Sequence, residues 1–500
     1  LRVNTPYLNG SIEGTEFVFR VTDDESTITV FEGVVLASND QGEVAVSPGE
    51  AAAAAKGQAP QKRVVVRPRD LVQWALYYPP VLSAVAVEGG RAELGEAANC
   101  AANGNNACAF ARLEKIPVGE RDANYLLLRS SILLAAGRVD EARGEIDAAL
   151  KRDANSAAVH ALRAVIAVAL NQNEAALADA RKAVELDPDL PAATIALSYV
   201  LQADLQLEGA RTELLQLVKR KPEDALAWAR LAELNLMLGD RRDATAAAER
   251  AVGLQPGLSR TQNVLGFTAL AEIDTARARA AFEQAIVLDS ADPLPHLGLG
   301  LAKIRRGMLD EGRADLEAAV ALDSNNALLR AYLGKSYFEE RRAPLDAQQF
   351  EIAKELDPLD PTAYFYNAIR LQTENRPVEA LSELEASIER NDNRAVYRSR
   401  LLLDKDRAAR GTSQARVYND LGFRQLGINS AVESIAVDPA NASAHRFLSD
   451  TYMTASRHET ARVSELQQAQ MLQDVNINPI QPSLSDTNLN IVAQGLSLIH

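Results

Sequence analysis

The sequence predicts a mainly α chain: an α-solenoid of antiparallel helix pairs stacked into a superhelix, with a small β-domain at its N-terminal end. Three observations predict it. Residues 123–392 repeat at a fixed spacing, apolar residues make up 47% of the 500 while aromatics are only 5%, and β-branched residues alternate within the first 50 positions. Ala and Leu therefore carry the apolar load, which suits closely packed helices, and the alternation suits strands. The same arithmetic excludes function classes. The chain exceeds the size of a single core. Its 53 Lys+Arg against 68 Asp+Glu leave a charge of −15 and a pI near 5.0, which disfavours nucleic acid and anionic lipid as partners. The longest apolar run, Ala164–Leu170, falls far short of the roughly 18 residues that a membrane span needs.

Residue 1 is Leu and a strand-like pattern follows at once, so a mature or trimmed piece is expected. Strands are predicted at Glu16-Phe17-Val18-Phe19-Arg20-Val21, Ser26-Thr27-Ile28-Thr29-Val30 and Gly33-Val34-Val35-Leu36, with Thr22-Asp23-Asp24-Glu25 as a hairpin turn. Ala51–Ala55, Gly57 and Pro60 close this unit, 1–60. Thr5-Pro6, Ser11-Ile12-Glu13-Gly14-Thr15-Glu16-Phe17 and Val30-Phe31-Glu32-Gly33-Val34-Val35 resemble the FecR-type β-domain of bacterial envelope proteins, in a copy that is clipped at its start. The resemblance implies a periplasmic or cell-surface location and contact with another envelope component. The alternative is a small β-sandwich that only packs against its neighbour.

Units of the array end at Arg152-Asp153-Ala154, Leu186-Asp187-Pro188, Arg220-Lys221-Pro222, Leu254-Gln255-Pro256, Leu288-Asp289-Ser290, Leu322-Asp323-Ser324, Leu356-Asp357-Pro358 and Arg390-Asn391-Asp392, each 34 positions after the last. That period with a closing proline resembles the tetratricopeptide repeat (TPR). Small residues recur where paired helices touch: Ala142, Ala176, Ala210, Ala244, Ala278 and Ala380 at one site, and Ala149, Ala183, Ala251, Ala285, Ala319 and Ala353 at another. Leu265-Gly266, Leu299-Gly300 and Leu333-Gly334 match the first-helix Leu-Gly pair, and Trp228 and Tyr337 its aromatic positions; Gly137, Gly239 and Gly307 fall between the helices. A single hairpin cannot bury its apolar face, so stacking supplies the core and the array curves into a superhelix. Eight regular units span 123–392. The period then breaks: Val437-Asp438-Pro439 lies 13 residues late, Asn393–Arg410 and Gln414–Gly427 read as helices, and Ala442 to about Leu472 reads as a terminal pair with a polar cap helix, completing 393–472.

Residues 61–122 form a linker, with a basic strand-like stretch at Arg63–Arg69 and Leu71-Val72-Gln73-Trp74-Ala75-Leu76-Tyr77-Tyr78-Pro79-Pro80, followed by an atypical helical hairpin. The order of β-domain, aromatic linker and TPR array resembles FecR/TPR proteins of Gram-negative envelopes. Some relatives of that type continue into an outer-membrane β-barrel. The polar, turn-rich tail 473–500 would then be the linker leading to it. In an envelope protein Cys100 and Cys108, eight apart around a turn-prone loop, suggest a disulfide stapling that hairpin, the alternative being two free core thiols in a cytosolic chain. Their spacing is not Cys-x-x-Cys, and no histidine lies beside them to complete a zinc site.

Nothing in the sequence points to an enzyme or a cofactor. His160, His296 and His445 occupy the first-helix position that Trp228 fills, so they read as packing residues; no His-Glu-x-x-His, Gly-x-Ser-x-Gly or phosphate-loop pattern occurs. Acidic pairs such as Asp187 with Asp189 and Asp357 with Asp360 read as helix-end and turn devices. In TPR arrays the fifth, ninth and twelfth repeat positions of each first helix line the concave face. Eighteen of those twenty-four positions are apolar here. Leu236, Phe267, Leu270, Leu297, Leu301, Ile304, Lys335, Phe338, Phe365 and Ile369 are the candidate groove, expected to hold an apolar segment from a protein partner, a second copy or this chain's own tail. The alternative is a tight superhelix that buries these side chains against each other. The expected function is a non-enzymatic scaffold in the periplasm or at the cell surface. Its rivals are the periplasmic arm of an outer-membrane transport or polymer-export system, and self-assembly into a fibre or sheet.

Overall fold

The computed structural model describes residues 2–4, 9–11, 16–21, 25–32, 35–46, 51–55, 57–63, 92–102, 106–135, 138–170, 172–396, 399–453 and 459–472. The aromatic linker from Leu71 to Pro80, the Thr22–Asp24 part of the predicted turn, Gly137 and the tail after Leu472 lie outside these residues.

The β-unit has eight strands: β1 (Arg2–Asn4), β2 (Asn9–Ser11), β3 (Glu16–Val21), β4 (Glu25–Glu32), β5 (Val35–Asn39), β6 (Gly42–Val46), β7 (Ala51–Ala55) and β8 (Gln61–Arg63). They form two antiparallel sheets, β1-β2-β5-β6 and β3-β4-β7-β8. Val21 pairs with Ser26, as the predicted hairpin requires. The alanine run expected to close the unit is itself a strand, pairing Ala51–Ala55 with Thr29–Glu25 of β4. Alanine has low strand propensity, but its small side chain suits this position: Ala52 and Ala54 are buried with Ile28, Val35, Ala37 and Val46. Strand β8 carries the unit to residue 63, past the expected boundary at 60.

Helix α1 (Ala92–Ala102) and α2 (Asn106–Glu114) form the first hairpin. Eight 34-residue hairpins follow: α3 (Ala123–Ala135) with α4 (Val139–Arg152), α5 (Ala157–Ala169) with α6 (Asn173–Leu186), α7 (Pro191–Ala203) with α8 (Leu207–Arg220), α9 (Ala225–Leu238) with α10 (Arg241–Leu254), α11 (Ser259–Ala271) with α12 (Thr275–Leu288), α13 (Pro293–Arg305) with α14 (Leu309–Leu322), α15 (Ala327–Glu339) with α16 (Leu345–Leu356), and α17 (Pro361–Thr373) with α18 (Pro377–Glu389). Two further pairs end the array: α19 (Arg400–Asp420) with α20 (Arg424–Val437), and α21 (Ala442–Tyr452) with α22 (Glu459–Leu472).

The recurring residues explain the hairpin. Both alanine sites are buried throughout. The Leu-Gly pairs mark close approach: a Cβ on Gly266 would meet the Phe282 ring at 2.5 Å, and one on Gly334 would meet Phe350 at 2.8 Å. Gly239 and Gly307 end their helices in the left-handed region, at φ 89° and 80°. Between units the acid is an Asx turn: Asp187, Asp289 and Asp357 accept from the backbone N–H two residues on, at 3.0 Å each. Position four of the first helix then reaches back to the carbonyl six residues earlier. His160 contacts Ala154 O, Trp228 donates to Pro222 O, Gln262 to Pro256 O, Tyr364 to Pro358 O, and His445 contacts Pro439 O. These side chains tie each hairpin to the loop before it.

The irregular region differs from expectation. Residues 391–396 form a short 3₁₀ turn, and α19 is one 21-residue helix running through the predicted break at 411–413. Gly411 lies against Ser434, where a Cβ would meet its Oγ at 2.6 Å. Thr412 and Ser413 donate to the Ala408 and Ala409 carbonyls of the preceding turn, so three residues that would ordinarily weaken a helix are accommodated here.

Candidate partner-binding groove

The ten candidate groove residues come from five consecutive first helices: α9, α11, α13, α15 and α17. The structure brings them together but closes them in. Leu236, Phe267, Leu270, Leu297, Leu301, Ile304, Lys335, Phe365 and Ile369 are at most 7% exposed, and Phe338 is half-buried. The apolar members share one core cluster with Ala409 and Val417 of α19. They are the interior of a tight superhelical turn, so the expectation of an open apolar strip is corrected. An array that curves this strongly leaves no room for a bare inner face, and the side chains bury one another.

Closure is visible at a seam. The Ser399 N–H donates to the Met237 carbonyl (2.9 Å), and its Oγ–H donates to the Leu238 carbonyl (3.3 Å), 161 residues away in sequence. Leu402 rests on Gly239, where a Cβ would lie 3.4 Å from its Cδ2. The last carbonyls of any helix lack partners within it, and Ser399 supplies two donors at the end of α9. It also caps α19, its Oγ accepting from Leu402 N. The other end of α19 is fixed to the wall as well, since Gln372 donates to the Asp420 carboxylate at 3.0 Å. Beneath it, Asn391 bonds both the Leu403 carbonyl and the Arg410 guanidinium, and Arg394 lies 3.7 Å from Asp406.

The polar inner positions serve internal bonds. Glu233 takes Arg230 at 3.0 Å and Arg260 at 2.5 Å, and the Tyr199 hydroxyl donates to it at 3.5 Å. Arg230 also stacks 3.6 Å over the Tyr199 ring and bonds Ser198 and Gln202. Burial and the Glu233 carboxylate hold the Tyr199 hydroxyl above its usual range. Burial alone would lower the Arg260 guanidinium, but Glu233 keeps it raised. Lys335 pairs with Glu339, with its ammonium 4.7 Å from the Phe338 ring centroid; burial lowers its pKa. A buried pair of this kind fixes geometry more than it stabilises.

Sequence reasoning missed the seam residues and the Arg230–Glu233–Arg260 cluster. The 13 extra residues after the eighth repeat were the available signal for the first, because they lengthen α19 enough to reach α9. Cys100 and Cys108 are disulfide-bonded, joining α1 to α2 with their Cα atoms 5.7 Å apart. Among the described residues, no three His, Cys, Asp or Glu side chains gather as a metal ion would require. No helix among them is long and apolar enough to cross a membrane.

Residues 127–191, 195–259 and 297–361 match the tetratricopeptide repeat family. No curated protein matches the sequence. Among solved structures the chain is similar to a chain of the APC/C hetero-tetramer Cut9-Hcn1, at 12% identity over 83% of this chain and 98% of that one, with a TM-score of 0.44. It is also similar to human IFIT1 in its dimer with PPP-AAAA, at 14% identity over 81% of this chain and 96% of that one, with a TM-score of 0.48.

Proposed function

We propose that this chain, whose solenoid is built of tetratricopeptide repeats, is a non-enzymatic protein-interaction scaffold of the bacterial envelope that holds partners on the outer and end surfaces of a closed superhelical turn. The observation that carries the reading is the Ser399 seam with the buried inner face behind it. A stack of hairpins sealed to itself is a rigid frame, and it leaves its outer helices available for contact. The segment expected in the groove is replaced by this chain's own residues, with α19 completing the core.

The envelope part of the reading rests on the FecR-like residues near the N-terminus and on the Cys100–Cys108 bridge, since disulfides persist in oxidising compartments. Thiol trapping in intact cells tests it: Cys100 and Cys108 stay unlabelled until a reductant is added, and labelling without reductant contradicts the envelope assignment. Cross-linking of the full chain in its native envelope tests the scaffold reading. The expected cross-links to other proteins lie on outer helices such as α8, α12 and α18. Cross-links confined to the inner helices would contradict it.

A further inference from the structure

Among the 14-residue outer helices of the array, charge falls to three residues in α12 and in α22 and is lowest in α20. Helices α4, α6, α8, α10 and α14 each carry five or more Asp, Glu, Lys or Arg residues, whereas α20, of equal length, carries two, Arg424 and Glu433. Arg424 is committed to the Thr451 carbonyl of the next hairpin, so Glu433 is the exposed charge on this helix. Around it Phe423, Leu426 and Val432 are 56%, 47% and 49% exposed. Gln425, Asn429 and Ala436 are exposed beside them. The adjoining terminal hairpin adds exposed Met453, Val463 and Met471. The outer helices α8, α12 and α18 each show one exposed large apolar side chain: Leu215, Val287 and Val378.

We infer that the α20 face, extended by the terminal hairpin, is a self-association surface that takes the same face of a second copy across a two-fold axis. Charge selects the occupant. A chain carrying −15 repels its own copies, and approach is least opposed where charge is sparse. An isologous contact sets each residue against a surface of the same composition, so a nearly neutral face meets a nearly neutral face. Size sets the strength. Helix α20 is about 21 Å long, too little alone for the roughly 800 Å² per partner of a stable interface. The terminal hairpin must share the contact, and a dissociation constant in the micromolar range is expected.

Sedimentation equilibrium of the full chain at concentrations from about 1 to 100 µM tests this, that range bracketing a micromolar constant. The wild-type chain is expected to move from monomer to dimer, more readily as added salt screens the repulsion. Leu426→Glu with Val432→Glu is expected to weaken dimerisation by at least about tenfold with unchanged circular dichroism. Val287→Glu, at a more exposed apolar site on α12, is expected to leave it intact. A wild-type chain that stays monomeric across the range overturns the inference, whether its own tail or a different protein covers the face. So does a dimer that the double variant leaves unaffected, or one that Val287→Glu disrupts equally.

Discussion

Replacing Gly298 with alanine reverses an otherwise dependable rule. In the interior of a helix alanine is favoured over glycine by about 1 kcal/mol, and Gly298 lies inside α13. Its Cβ would stand 2.2 Å from Cζ and 2.3 Å from Cε1 of Phe282. The ring has little room to retreat: Phe282 is fully buried, also rests on Gly266, and meets the Phe267 ring edge-on at 5.0 Å. Ordinary contact requires the ring to shift by about 1 Å in an interior packed as densely as a crystal, at a typical cost of about 1–3 kcal/mol. The overpacking matches or outweighs the helical gain, so Gly298→Ala is expected to be destabilising by up to about 2 kcal/mol. The assay is urea denaturation followed by hydrogen exchange resolved over α11–α14, because an array can unfold in parts. The Phe282→Leu background supplies the control, where the same alanine is expected to be neutral or stabilising and the double-mutant cycle shows coupling. A Gly298→Ala protein more stable than wild type would refute the packing argument.

Three further outcomes are expected. Leu205 sits in the left-handed region at φ 61°, at the position that Gly239 and Gly307 fill in two other repeats, and its side chain is 55% exposed. Leu205→Gly should therefore raise stability by about 1 kcal/mol, and a fall in the urea midpoint would contradict this. Asp292 caps α13 through Leu294 N; burial pushes its carboxyl up to about 7, against the opposing pull of that bond and of Arg260. A raised acid favours the folded state while protonated, so its contribution is present below about pH 4 and lost as pH climbs to 7. Asp292→Asn, which can still cap the helix, should raise stability at pH 8 and flatten the slope between pH 4 and 7 in denaturation curves; an unchanged slope would refute the assignment. Ser399→Ala removes the donor to Leu238 O and the cap on α19, and should cost about 1–2 kcal/mol. That loss should appear as faster hydrogen exchange in both α9 and α19, and a change confined to α19 would remove the seam from the account.

The repeat was legible because its devices are local. The Asx turn at Asp187, the Gly239 helix end and the small residues at Ala142 or Ala285 act within one hairpin, so their spacing in sequence mirrors their placement in space. The β-strands were partly legible: alternation revealed β3 and β4, while Ala51–Ala55 carries no β-branched residue and gains its strand from pairing with β4. The ten groove residues were legible as positions on successive first helices, while their burial was not. Exposure depends on superhelical curvature and on contacts such as Ser399 with Met237, which no 34-residue window contains. Helix α19 was hidden for a related reason, since Gly411-Thr412-Ser413 reads as a break until the packing against Ser434 is known.

The central claim is that the solenoid closes on itself at Ser399 and thereby seals its apolar inner face. Hydrogen exchange at the Ser399 amide tests this most directly, because its proton points to the Met237 carbonyl across the seam and to nothing in its own helix. A closed turn predicts that this amide is protected about as strongly as the core of α9. Exchange at the rate of an unstructured chain, with the helices of the array still protected, would contradict it.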